Sequence, residues 1–88
     1  MLKYKVEFNK KYLKELEKIP VRARNQIRES ILHLAHNPRP DGCKKLQGNT
    51  DPPLYRIRCG DYRVIYTIRD DFLLVLVVEV GHRRDIYR

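Results

Sequence analysis

Arg56 and Arg58 stand two residues apart, a spacing that puts both side chains on one face of an extended chain, with Tyr55, Ile57 and Cys59 on the other. Arg63 follows a Gly60-Asp61 pair, and a hairpin turn there brings it beside Arg58. His82, Arg83 and Arg84 come directly after a long apolar run. Every lysine, by contrast, lies at or before Lys45. Guanidinium is a planar, bidentate donor that fits phosphate oxygens and stays charged at working pH. Several cations on one face repel unless something anionic covers them, so Arg56, Arg58, Arg63 and Arg83 read as phosphate contacts. Asp61 and Asp85 offset part of the repulsion. Arg69 and Arg88 read as ordinary solvent-facing residues whose stems cover apolar surface.

Such a surface can serve chemistry as well as binding. Cutting a phosphodiester in RNA requires an activated 2′-hydroxyl, stabilisation of the extra phosphate charge and protonation of the leaving oxygen. Arginines meet the second requirement. They are poor bases, because guanidinium does not give up its proton in proteins. The proton carriers are therefore sought in His82, in Tyr87 or in a residue from a partner. Arginines around Tyr87 would favour its phenolate and lower its pKa. Tyr87 reads equally well as a terminal ring packed on the sheet edge, and His82 as a stacking or phosphate-binding group.

The composition agrees with an anionic partner. The 88 residues carry 19 Lys and Arg against 11 Asp and Glu, a net charge of +8, and the pI is near 9.8. Charge of that size on so small a body captures polyanions, and nucleic acid is the leading candidate over a solubility role alone. The length leaves room for one domain, residues 1–88, with a modest core. There is no apolar run near 20 residues, and MLKYKVEF lacks the apolar block of a secretory signal, so a cytoplasmic protein with no membrane partner is expected. Cys43 and Cys59 are the only cysteines and form no CxxC pair, and His33, His36 and His82 add no ligand spacing. Neither a metal nor another cofactor is expected.

The elements that must position these residues follow from periodicity. Residues 2–8 alternate Leu2, Tyr4, Val6 and Phe8 with Lys3, Lys5 and Glu7, which is strand patterning. Asn9 is an N-cap for a helix over Lys10–Lys18, in which Leu13 and Leu16 repeat at helical spacing beside Tyr12 and Ile19. Pro20 ends it and can begin the next helix, Val21–His36, whose apolar stripe is Ala23, Ile27, Ile31 and Leu34. Prolines and glycines make 38–53 a loop, within which Lys44 and Lys45 flank the apolar Leu46. Three strands follow, Leu54–Cys59, Tyr62–Arg69 and Phe72–Val80, separated by turns short enough for hairpins. The last is nearly all apolar and is expected to be central. The sum is an α+β fold: an N-terminal strand, a helical hairpin, and a three-strand antiparallel meander forming a four-stranded sheet. One sheet face takes the helices and the other is left for chemistry.

KKLQG (44–48), YRIRCGDYRVIY (55–66) and VGHRRDIYR (80–88), in this order and spacing, resemble the RelE/ParE superfamily of bacterial and archaeal toxin–antitoxin systems, and RelE within it. The resemblance covers nearly the whole chain. It implies a RelE-like fold and a ribosome-dependent endoribonuclease that cuts mRNA in the A site by metal-independent 2′-hydroxyl attack. It also implies catalytic roles for Arg56, Arg58, Arg63, Arg83 and Tyr87, with His82 beside them, and RNA or ribosome contacts for Lys44, Lys45 and Arg84. The positions of Arg56 and Arg58 are often lysine in the family, and a histidine stands at the Arg83 position in relatives of the same fold. The implied partners are a cognate acidic antitoxin, the ribosome with its mRNA, and operator DNA through the toxin–antitoxin complex. Two alternatives share the fold: a ParE-like gyrase inhibitor without nuclease activity, and a nuclease-dead member that binds its partner and DNA. The full arginine set favours RelE, because contact with gyrase would not require it.

Overall fold

A computed structural model describes residues 3–48 and 52–82. In chain order the elements are β1 (Lys5–Phe8), α1 (Lys10–Glu17), α2 (Val21–Leu34), β2 (Lys44–Lys45), β3 (Leu54–Cys59), β4 (Tyr62–Arg69) and β5 (Leu74–His82). The sheet has five strands in the order β1-β5-β4-β3-β2. β1 runs parallel to β5, and the other neighbours are antiparallel. The fold class is the α+β arrangement read from the sequence, with one more strand than expected. Lys44–Lys45 is a short fifth strand paired with Tyr55 and Arg56. Two residues are too few for a periodic pattern, so the surrounding prolines and glycines made this stretch look like loop throughout.

Local chemistry explains the boundaries. Asn9 Oδ1 accepts from the Tyr12 amide at 2.9 Å, which starts α1 one residue later. Pro20 precedes α2, where its missing N–H costs nothing. Between β3 and β4 the loop is Gly60-Asp61 alone, and Gly60 has φ +61°. Glycine at the first loop position with positive φ is the pattern of a type II′ hairpin turn, which matches strand twist. The second hairpin differs from expectation. Asp70–Phe72 form a 3-10 turn, Leu73 takes the left-handed region at φ 49°, and β5 starts only at Leu74. Phe72 is consequently outside the strand and largely exposed.

The core lies between the helices and one sheet face. Tyr12, Leu16 and Ile19 meet Ile27, Ile31 and Leu34, and all pack on Ile57, Val64, Tyr66, Ile68, Val75, Val77 and Val80. On α1 the buried pair is Tyr12 and Leu16, whereas Leu13, expected in the stripe, is half exposed. β5 lies inside the sheet, but Val75, Val77 and Val80 are its fully buried residues, so burial is concentrated on one face. A bulge at Val78 keeps these valines on the core side, because Tyr66 pairs with Val77 while Ile65 pairs with Glu79.

A polar network fastens the segment after α2 to the sheet. Arg39 binds Asp70 through two N–H···O contacts of 3.3 and 2.9 Å, and the Tyr4 hydroxyl donates to the same carboxylate at 2.6 Å. The Arg39 guanidinium also lies 5.5 Å from the centre of the Tyr55 ring, which stacks on Tyr66. Buried Tyr66 in turn donates its hydroxyl to the Pro38 carbonyl at 2.7 Å. The loop is thereby held where Lys44 can pair with Arg56.

Candidate nucleic-acid interface

Strand register decides which cations meet. Arg58 and Arg63 are direct cross-strand partners, Arg56 is flanked by Lys44 and Ile65, and Arg63 lies opposite Gly81 on β5. Directly opposed residues project to the same side of a sheet. Lys44, Arg56, Arg58 and Arg63 therefore share the face turned away from Val64, Tyr66, Val75 and Val77. This is the grouping that the two-residue spacing and the Gly60-Asp61 turn implied.

Exposure within the group is uneven. Arg58, Lys44 and Lys45 are exposed, whereas Arg56 is 3% and Arg63 7% exposed. Neighbouring Ile65 and Thr67 on this face are buried as well. Around the arginine cluster the face expected to be open is open at Arg58 and the β2 edge and closed over Arg56 and Arg63. Arg56 Nε and Nη1 are buried without a hydrogen-bond partner. The alternation that placed these arginines on one side carried no information about depth, which depends on how long side chains lie across the sheet.

His82 goes elsewhere. It lies opposite Tyr62, at 5.5 Å and 78° in an edge-on ring contact, and so projects to the face opposite Arg63. Arg83, Arg84 and Tyr87 lie outside the described residues, as does Asp85. Among the described residues no group of three or more His, Cys, Asp or Glu is placed to hold a metal ion. No helix is long and apolar enough to cross a membrane.

Among the described residues, concavities flank this framework. The first, about 610 Å3, lies between α2, the 40–42 turn and β3, and takes in Lys44, Arg56 and Arg58 with Ser30 and His33. The sequence reading missed the two α2 residues; their three-residue spacing on a polar helix face was the available signal. The second, about 480 Å3, lies between α1 and the end of β5 and contains the Lys11–Glu79 ion pair. Burial, and then the Glu79 charge, push the Glu15 carboxyl there above its ordinary range. The third, about 380 Å3, is an apolar groove between β1, α1 and α2, where Phe8, Leu13 and Leu32 are left exposed.

Fold and cation arrangement together define a small basic α+β protein with an arginine cluster on a hairpin, and comparison with known proteins places it. Residues 6–87 match the ParE toxin family of type II toxin–antitoxin systems. The chain is 30% identical over 80 residues to the mRNA interferase toxin RelE of Escherichia coli, covering 91% of this chain and 83% of that protein. It superposes on the archaeal RelE–RelB complex of Pyrococcus horikoshii with a TM-score of 0.82 and 31% identity, covering 97% of this chain and 99% of that one. Against the RelBE2 toxin–antitoxin complex of Mycobacterium tuberculosis the TM-score is 0.82 at 29% identity, with 97% of each chain covered. The chain belongs to the RelE/ParE superfamily of type II toxin–antitoxin toxins.

Proposed function

We propose that this toxin is a ribosome-dependent endoribonuclease that cuts mRNA in the A site, the 2′-hydroxyl attacking its own phosphate. The observation that carries the reading is the Arg58–Arg63 pair with Arg56 and Lys44 beside it on one sheet face. Two guanidinium groups side by side supply the charge that a pentacoordinate phosphate needs, without a metal ion. Arg83, which follows β5 in the sequence, has the same role, and Lys44 and Lys45 on the sheet edge, with Arg84, add RNA or ribosome contact. The name of the E. coli relative, an mRNA interferase, supports the same chemistry. Because His82 projects to the face opposite Arg63, the proton transfers belong to Tyr87 or to the ribosome before His82.

The partner is an acidic antitoxin that orders on binding, and operator DNA is reached through that complex. The apolar groove bordered by Phe8, Leu13 and Leu32 supports such docking, as do the relatives solved with RelB. The protein works in the cytoplasm, where translated mRNA is found.

The second reading is a ParE-like gyrase inhibitor, which the matching family favours. Primer extension on translated mRNA after induction separates the two. Cuts at fixed codon positions that vanish in Arg63→Ala and Arg83→Ala support the nuclease. Intact mRNA accompanied by gyrase-linked DNA damage overturns it in favour of the ParE-like activity.

A further inference from the structure

β2 consists of two residues, Lys44 and Lys45, which point to opposite faces of the sheet. Lys44, opposite Arg56, joins the arginine face, and Lys45, opposite Tyr55, turns to the other side. A slip of one residue along β3 would exchange the two. β3 offers little resistance to that slip. Its edge can pair with either register, and both lysines are exposed, so neither is marked by burial.

The chain preceding β2 does discriminate. Buried Tyr66 holds the Pro38 carbonyl at 2.7 Å. Arg39, the next residue, grips Asp70 with both terminal nitrogens, at 3.3 and 2.9 Å. Tyr4 donates to the same carboxylate at 2.6 Å, and the Arg39 guanidinium lies over Tyr55, the residue that Lys45 faces. Only four residues separate Arg39 from Lys44. The Cys43 amide donates to the Pro40 carbonyl at 3.1 Å and closes them into a turn. A turn closed that tightly has no spare length to pass on, so fixing Arg39 fixes the register of β2. The Arg39 and Asp70 side chains are 45% and 55% exposed. An ion pair so exposed adds little stability, and placement is what it contributes.

We infer that Arg39 and Asp70 are positioning residues for the RNA face: their clasp sets the register of β2 and brings Lys44, not Lys45, beside Arg56. The inference rests on the nuclease reading for what Lys44 then touches, while the register itself is measured without RNA. Asp70→Ala is compared with Asp71→Ala, which removes the neighbouring carboxylate, paired with Arg69 and outside the clasp. Each removes one negative charge, so long-range attraction to RNA rises equally in both. The Leu46 amide donates to the Leu54 carbonyl at 2.8 Å. Lys45 and Tyr55 are therefore the non-hydrogen-bonded pair, whose α-carbons approach to about 4.5 Å. Their Hα–Hα contact in NMR spectra of the full chain is expected in the natural protein and in Asp71→Ala, and lost in Asp70→Ala. Arg39→Lys, which keeps the charge without the bidentate grip, should lose it as well.

On paused ribosomes Asp70→Ala should raise KM for cleavage about tenfold, the scale of one charge-assisted contact, with kcat unchanged. Asp71→Ala should leave KM unchanged or lower it. Lys44→Ala should raise KM by the same factor in the natural chain and not at all in Asp70→Ala, where the lysine is already displaced. A Lys45–Tyr55 contact retained in both Asp70→Ala and Arg39→Lys overturns the inference, as does a KM that falls in Asp70→Ala. If the contact is lost but the natural chain cuts no mRNA, the register device stands and the nuclease reading falls. If the natural chain and Asp70→Ala cut mRNA equally well, the nuclease stands and the positioning role falls.

Discussion

Arg58 and Arg63 are direct cross-strand partners, joined by the tightest hairpin of the sheet. Like charges in that position destabilise a strand pair by a few tenths of a kcal/mol or more. Two cations held side by side are suited to a ligand that carries concentrated negative charge, and phosphate in its transition state is such a ligand. In the proposed function, RNA supplies that charge.

Replacing the exposed member tests this division between stability and function. Arg58→Ala is expected to leave thermal stability unchanged or slightly higher, within about 0.5 kcal/mol. It should lower mRNA cleavage by about 100-fold or more, the scale for removing one preorganised donor. Melting curves and cleavage rates on the same preparation check both parts.

Arg56 gives a sharper contrast, because its guanidinium is buried with Nε and Nη1 unsatisfied. Arg56→Met keeps the length and apolar stem and removes the charge. The variant should gain stability, on the order of 1 kcal/mol, which raises Tm by about 4–8 °C in a domain of this size. Cleavage should fall at the same time. A fall in Tm would show that the guanidinium is held by contacts that stabilise the fold.

Away from the site, Tyr66 donates its buried hydroxyl to the Pro38 carbonyl. Burial, and then Cys43, push the phenol well above its ordinary value, so it stays a donor throughout the physiological range. Tyr66→Phe strands that carbonyl and should cost about 1–3 kcal/mol, read from urea unfolding.

Asp70 contributes to the acid limb of the stability profile. Arg39, then Tyr4, hold its carboxyl below the ordinary range in the folded chain. The folded form therefore gives up this proton more readily than the unfolded chain does. The resulting stabilisation is complete above the unfolded value of about 3.9 and is lost as pH falls through the lowered folded value. The stability difference between the natural chain and Asp70→Asn should shrink between about pH 5 and pH 2, as unfolding midpoints across that range will show.

How much of this was legible in the sequence depends on what periodicity can encode. The Arg56–Arg58 spacing and the Gly60-Asp61 turn identified a shared arginine face, because both are local rules of backbone geometry. Depth was not legible. Arg58 and Arg56 occupy equivalent positions in the pattern, yet one is exposed and the other buried, since burial depends on residues far away in sequence. The same holds for Arg39 and Asp70, which are 31 residues apart and meet only after folding. β2 was hidden because its two residues have strand character only through β3. His82 looked continuous with the tail arginines, but strand alternation sends its ring to Tyr62.

In the proposed function the arginine face acts on RNA within the ribosome. Purified ribosomes paused with a vacant A site on a defined mRNA, mixed with the toxin and read by primer extension, address it directly. A ribosome-dependent nuclease gives a single new 5′ end within the A-site codon. The same mRNA free of ribosomes stays uncut, and the cut is lost with Arg58→Ala. Intact message on the paused ribosome, or equal cutting of free and ribosome-bound mRNA, would contradict the proposed function.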